Sequence, residues 1–178
     1  MPPEQNLVLT GFMGTGKTTV GKKLARKLRM EFVDTDALIE SRHGPISEIF
    51  DDRGEAEFRA IERAVAAELG ERKGLVIATG GRMILDPENF RALSRNGRVF
   101  CLVATPDEIY ARIGADRSPG ERPLLRVEDP RQRIVELLTE REGQYLQFPQ
   151  IATDDASPDV IADEVINLWS SGEAETRT

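Results

Sequence analysis

Between an apolar run at Leu7, Val8 and Leu9 and a stretch with apolar positions at Val20, Leu24 and Leu28 lies Gly11-Phe12-Met13-Gly14-Thr15-Gly16-Lys17-Thr18. The spacing is G-x-x-x-x-G-K-T, and it constrains the fold more than any other feature of the chain. Glycines at such positions let the backbone turn successive N–H groups inward around the oxygens of an anion. A helix starting directly behind them adds the positive end of its dipole. The motif therefore requires a strand before it and a helix after it, and the flanking apolar periodicities supply both. Four fixed positions should coincide by chance only about once in a hundred or more chains of this length. The alternative, a structural glycine turn with a solvated lysine, does not account for that context.

The ligand that suits such a loop is a nucleoside triphosphate. Lys17 would lie against the β- and γ-phosphates and the Thr18 hydroxyl would ligate Mg2+, with Gly14, Thr15, Gly16 and Thr19 completing the cradle for ATP. Guanine-specific GTPases usually carry an N/T-K-x-D element, and no lysine follows Lys73. Phosphoryl transfer to an acceptor is thus favoured over a GTPase switch.

The rest of the chain repeats the alternation. Phe32 and Val33 suggest a second strand with Asp34 and Asp36 at its exit, followed by a helical pattern from Ala37 that breaks at Gly44 and Pro45. Phe58, Ile61, Val65 and Leu69 predict a helix over 55–69, Leu75 to Ala78 a buried strand ending at Gly80 and Gly81, and Val99 to Val103 another strand after a helix around 87–93. Helical spacing resumes at Ile134, Leu137 and Leu138, Ile151 to Thr153 suggests an edge strand, and Val160 to Trp169 a last amphipathic helix. This order predicts an α/β chain, a three-layer sandwich of P-loop NTPase type with a central parallel sheet and helices on both faces. In such sheets ligands bind beyond the carboxyl ends of the strands, where the Gly11 loop, Asp34, Asp36, Gly80 and Gly81 all fall. The segment 114–128, rich in Gly, Pro, Asp and Arg, is expected to be a mobile surface loop.

At 178 residues the chain is long enough for one well-buried core and short for two, so one domain over 1–172 with a polar tail over 173–178 is expected. No apolar run approaches the roughly 20 residues that span a bilayer. The first six residues lack the basic and apolar regions of a signal peptide, which predicts a cytoplasmic protein without a membrane partner. A formal net charge of −7 argues against a nucleic-acid surface, since such binding rests on cations neutralising phosphates. The only cysteine, Cys101, lies inside an apolar run and reads as a small buried hydrophobe.

Asp34-Thr35-Asp36 follows the second strand, where a carboxylate could support Mg2+ or accept a proton from a hydroxyl. Capping of the next helix is the structural alternative for Asp34 or Thr35. Arg59 and Arg141, by spacing alone, read as solvated helix residues.

Taken together these segments resemble the shikimate kinase family. The resemblance is carried by 11–21, Asp34-Thr35-Asp36 with Ile39-Glu40, Ile49-Phe50, Gly54-Glu55 with Glu57-Phe58-Arg59 and Glu62, Thr79-Gly80-Gly81, and Arg122-Pro123-Leu124-Leu125, in that order over about residues 7 to 145. It implies a nucleoside-monophosphate-kinase-like arrangement with a mobile lid at about 114–128, and transfer of phosphate from ATP to the 3-hydroxyl of shikimate in aromatic amino acid biosynthesis. It implies that Asp36 orients the acceptor hydroxyl or serves as base, and that Asp34 supports Mg2+ with Thr18. Arg59 and Arg141 would clamp the substrate carboxylate, with Gly80 and Gly81 lining the acceptor site. Arg122 would meet the ATP phosphates from the lid, with Lys17 and Asp36 as the other catalytic groups and Arg112 assisting at ATP. Shikimate and ATP are then the expected partners of a monomer. The chain departs from the family where a third glycine usually follows Thr-Gly-Gly: Arg82 stands there. Two other readings remain open on the residues: a related kinase for another hydroxylated acid, and a catalytically weak nucleotide-binding regulatory protein. Arg59 with Arg141 favours an anionic acceptor over a neutral sugar.

Overall fold

A computed structural model describes residues 4–115 and 127–175. Five strands, β1 (Asn6–Thr10), β2 (Glu31–Asp34), β3 (Leu75–Ala78), β4 (Gly97–Val103) and β5 (Gln150–Ala152), form one sheet in the order β2-β3-β1-β4-β5. Every pairing is parallel. The chain leaves β1 for one edge of the sheet and later returns to its other side. The loop after β1 therefore sits where the strand order reverses, the place where open α/β sheets bind ligands.

The strands alternate their burial between two helical layers. Val8, Leu75, Ile77, Val99 and Cys101 face α3 (Ile46–Glu71) and α4 (Pro87–Ser94). Leu7, Leu9, Val76, Phe100 and Leu102 face α1 (Lys17–Leu28) and α7 (Pro158–Glu175). Because both faces are covered, the strands read as unbroken apolar runs, and each fully buried Leu, Ile or Phe contributes about 1.5–3 kcal/mol of transfer free energy. A smaller cluster of Phe12, Ile109, Ile134 and Leu137 packs α5 (Pro106–Ala115) and α6 (Pro130–Tyr145) beneath the glycine-rich loop.

The parallel sheet and its two helical layers match the fold expected from sequence, with differences of detail. α2 (Thr35–His43) begins at Thr35 because Asp34 caps it, its Oδ1 accepting from the N–H groups of Asp36 and Ala37 at 3.1 and 3.2 Å. The helix expected over 55–69 is longer: 46–53 and 55–71 run on as α3 across a kink at Gly54, whose φ of 82° places it in the left-handed region. Gly114 and Ala115, expected in the loop, finish α5. Residues 173–175, expected in the tail, continue α7, as their Glu-Ala-Glu composition favours. The remainder of the expected lid, apart from 127–128, lies outside the described residues. Among the described residues no helix is long and apolar enough to cross a membrane.

Candidate active site

The loop closes tightly on β4. A Cβ at Gly11, where φ is 133°, would collide with the Leu102 carbonyl oxygen, so only glycine lets the chain leave β1 here. Gly14 and Gly16 also take positive φ, 76° and 95°, and Gly16 precedes the first residue of α1. Thr15 is buried and its hydroxyl donates to the Phe12 carbonyl at 2.8 Å, so its side chain braces the loop and only its N–H remains for an anion. Thr19 is exposed in the first turn of α1.

Lys17 opens α1 and folds back across the loop, its Nζ donating to the Gly11 and Phe12 carbonyls at 2.9 and 2.8 Å. Burial lowers its pKa from 10.5 to about 8, against the opposing pull of Asp36, Cys101 and Asp34. The Cys101 thiol, on the strand beside β1, is itself pushed up to about 12 by burial and is not a nucleophile. Thr18 donates its hydroxyl to Asp34 Oδ2 at 2.8 Å. Asp34 thus uses one oxygen to cap α2 and the other to meet Thr18. Two hard oxygen donors side by side at the lip of a phosphate loop fit Mg2+, which keeps most of its ligands as water and phosphate oxygen.

Asp36 sits in the first turn of α2 with its carboxylate against Gly80. A Cβ at Gly80 would lie 2.5 Å from Asp36 Oδ1, so the small residue makes the close approach possible. Thr35 fixes the same turn by accepting the Gly80 N–H at 2.9 Å. Burial raises the Asp36 pKa from 3.8 to about 6, with Asp34 and Glu62 adding to the rise and Lys17 opposing it. A carboxylate poised there can take a proton near neutral pH.

A second group surrounds Gly81. Ile134, Leu137, Arg141 and Tyr145 follow the inward stripe of α6, and this spacing turns Arg141 into the protein interior at 8% exposure. Its guanidinium lies 5.4 Å from the Phe12 ring centre, and no carboxylate among the described residues pairs with it. Tyr145, one turn on, donates its hydroxyl to the Gly81 carbonyl. Added at Gly81, a Cβ would be 3.9 Å from both Arg141 Nη1 and the Gly11 carbonyl oxygen, which places this turn between the phosphate loop and α6.

On α3, Arg59 directs Nη1 to Glu62 at 2.6 Å and its other edge to Glu55, with Nε and Nη2 at 3.2 and 3.0 Å from one carboxylate oxygen. Glu62 lies on the apolar stripe of the helix and is buried, which raises its pKa despite Arg59. Arg82 has an ordinary backbone conformation, φ −113° and ψ −8°, so the place of a glycine here does not require left-handed geometry. Arg112 ties α5 to the loop and to the segment after β5, bonding Glu108, the Gly14 carbonyl and Thr153. Arg122 lies outside the described residues.

The fold thus draws together Lys17, Thr18, Asp34 and Asp36 on one side and Gly80, Gly81 and Arg141 on the other, with Arg59 and Glu62 adjoining. Sequence reasoning assigned no role to Glu62 or Tyr145. The signal was available in both: each falls on the inward stripe of its helix, where a polar group must have a partner.

A family model described as shikimate kinase matches residues 13–169. A shikimate kinase from Caldanaerobacter subterraneus subsp. tengcongensis is 46% identical over 168 residues, covering 93% of this chain and 96% of the relative. The structure of shikimate kinase from Acinetobacter baumannii in complex with shikimate superposes with a TM-score of 0.86 at 37% identity, covering 94% of each chain. That of the Bacteroides thetaiotaomicron shikimate kinase gives 0.78 at 33%, covering 95% of this chain and 98% of that one. The chain belongs to the shikimate kinase family.

Proposed function

We propose that this chain transfers the γ-phosphoryl group of ATP to the 3-hydroxyl of shikimate. The observation that carries the acceptor half is Arg141, a buried guanidinium with no carboxylate partner among the described residues. A charge in that position is costly unless an anion meets it, and the forked donors of arginine match a carboxylate. Arg59 supplies the second fork and the Gly81 N–H a further donor. Gly80 leaves the space in which Asp36 reaches the hydroxyl.

In the reaction the acceptor oxygen attacks the γ-phosphorus, its proton passes to Asp36, and the bond to the β-phosphate oxygen breaks to release ADP. Lys17 and the loop N–H groups stabilise the charge that shifts toward the leaving oxygen. Thr18 and Asp34 would hold Mg2+, which supplies further charge neutralisation at the phosphates. By the family resemblance Arg122 would meet the ATP phosphates and help to exclude water, while Arg112 holds the adjoining edge of the loop. The protein is read as one cytoplasmic domain acting as a monomer.

An ADP-release assay with shikimate, quinate and gluconate offered separately tests the assignment. Turnover is expected with shikimate; release stimulated by another acid alone would replace it. Arg59→Ala and Arg141→Lys are each expected to weaken shikimate binding about tenfold to a hundredfold, because charge-assisted hydrogen bonds contribute about 1.5–3 kcal/mol each. ATP affinity should stay constant. Calorimetry in which ATP binding fell and shikimate binding held would reverse the roles of the two halves of the site.

A further inference from the structure

Arg59 has two carboxylate partners of different character. Glu62 is buried at 2% exposure and receives one donor at 2.6 Å; the Glu55 side chain is 58% exposed and draws both donors of the opposite edge onto a single oxygen. Two guanidinium donors meeting one oxygen is an incomplete form of the parallel fork, and exposed ion pairs are weakly held. Glu62 is therefore the fixed partner and Glu55 the displaceable one. The edge of Arg59 held by Glu55 is the edge an incoming substrate carboxylate needs.

Arg82 stands beside this pair. Its Nη1 lies 3.9 Å from Glu55 Oε1, the same oxygen that Arg59 holds, and its own side chain is 56% exposed and free to turn. Its charge helps to lower the Glu55 pKa and reaches Glu62 and Tyr145 as a minor influence, which places Arg82 at the rim of this group. Around this rim Arg59 and Arg82 both approach Glu55 and Arg59 also holds Glu62, while Arg141 has no carboxylate partner among the described residues.

We infer that Glu55 is an internal competitor for the carboxylate clamp, and that Arg82 is a positioning residue that takes Glu55 off Arg59 when the substrate carboxylate arrives. Glu55 moves from a hydrogen bond with Arg59 to one with Arg82, and the exposed edge of Arg59 then offers both donors to the substrate. Without Arg82, Glu55 has no second cation among the described residues and keeps contesting the clamp. A direct role for Arg82 on the substrate makes a different prediction, since it would not depend on Glu55.

This inference rests on the proposed shikimate kinase activity, and a double-mutant cycle on shikimate KM at saturating ATP separates the two. Arg82→Gly is expected to raise KM about two- to fivefold, in keeping with a rim ion pair, with kcat and the KM for ATP unchanged. Arg82→Lys should recover at least half of that loss. Glu55→Gln, which keeps the shape and removes the charge, should lower KM below that of the natural protein. In the Glu55→Gln background, Arg82→Gly should have no effect on KM. The same rise in both backgrounds would make Arg82 a direct substrate contact and overturn the transfer of Glu55. Unchanged KM in Arg82→Gly, or a raised KM in Glu55→Gln, overturns it as well. Absence of shikimate turnover in the natural protein removes the functional reading and this inference together, whereas normal turnover with a failed cycle removes only the inference.

Discussion

Lys17→Ala is expected to lower shikimate-dependent ADP release by at least about a hundredfold to a thousandfold, the scale seen when one preorganised charge-stabilising donor is removed. The ammonium sits in a buried environment where its field on a phosphate is little screened, and with a pKa of about 8 it still carries its proton at neutral pH. The fold should survive the change. Its folded pKa lies below its unfolded value, so the buried charge opposes stability at all pH values below about 8 and is relieved between about 8 and 10.5. Alanine removes that penalty while taking the Lys17 donor from the Gly11 carbonyl and leaving the Phe12 carbonyl with the Thr15 hydroxyl alone, and the two effects oppose each other. A circular-dichroism melt within a few degrees of the natural protein, together with the kinetic loss, is the expected pair of results. Near-normal turnover would exclude Lys17 from the chemistry.

Asp36→Asn should lower kcat by about a hundredfold to ten-thousandfold, because an amide cannot take the proton of the acceptor hydroxyl. In the natural protein kcat/KM should climb as pH rises through about 6, where Asp36 ionises, and decline above about 8, where Lys17 loses its proton. These limbs belong to the pair, since each charge lies within reach of the other. The acidic limb should vanish in Asp36→Asn; its persistence would assign the base elsewhere. Stability runs the opposite way. The folded pKa of Asp36 is above its unfolded value, so ionisation opposes folding increasingly between about 4 and 6 and fully above. At pH 7.5 the inactive variant should therefore melt no lower than the natural protein, as befits a group held in place for chemistry.

Much of this architecture could be read in advance because its causes are local. Leu7 to Leu9, Leu75 to Ala78 and Val99 to Val103 are strands buried on both faces, and no polar alternation interrupts them. The glycine-rich loop carries its own geometry in the positive φ angles of Gly11, Gly14 and Gly16. What local periodicity did not carry was partnership. The stripe of Ile134, Leu137 and Arg141 turns the arginine inward, but nothing near it in the chain announces that it lies over Phe12, a residue from the other end of the molecule. Arg59 could be placed on a helix, but its sharing between a buried and an exposed glutamate depends on the kink at Gly54 and on the stripe that buries Glu62. Asp34 belonged to both of its sequence readings, cap and candidate metal ligand, because its two oxygens face different groups. Helix ends were misjudged at Gly114 and at 173–175, where glycine and a polar composition suggested a break that helix propagation passes through.

The burial of Cys101 has a practical side. With its thiol held near 12 and shut inside the sheet, the protein's only sulfhydryl is silent toward maleimides and iodoacetamides at neutral pH while the fold is intact. No cysteine-free background has to be built before attaching a reporter. A substitution such as Glu57→Cys, on the exposed side of α3, would present a single labelling site, and a fluorophore there could follow acceptor binding without disturbing the phosphate loop.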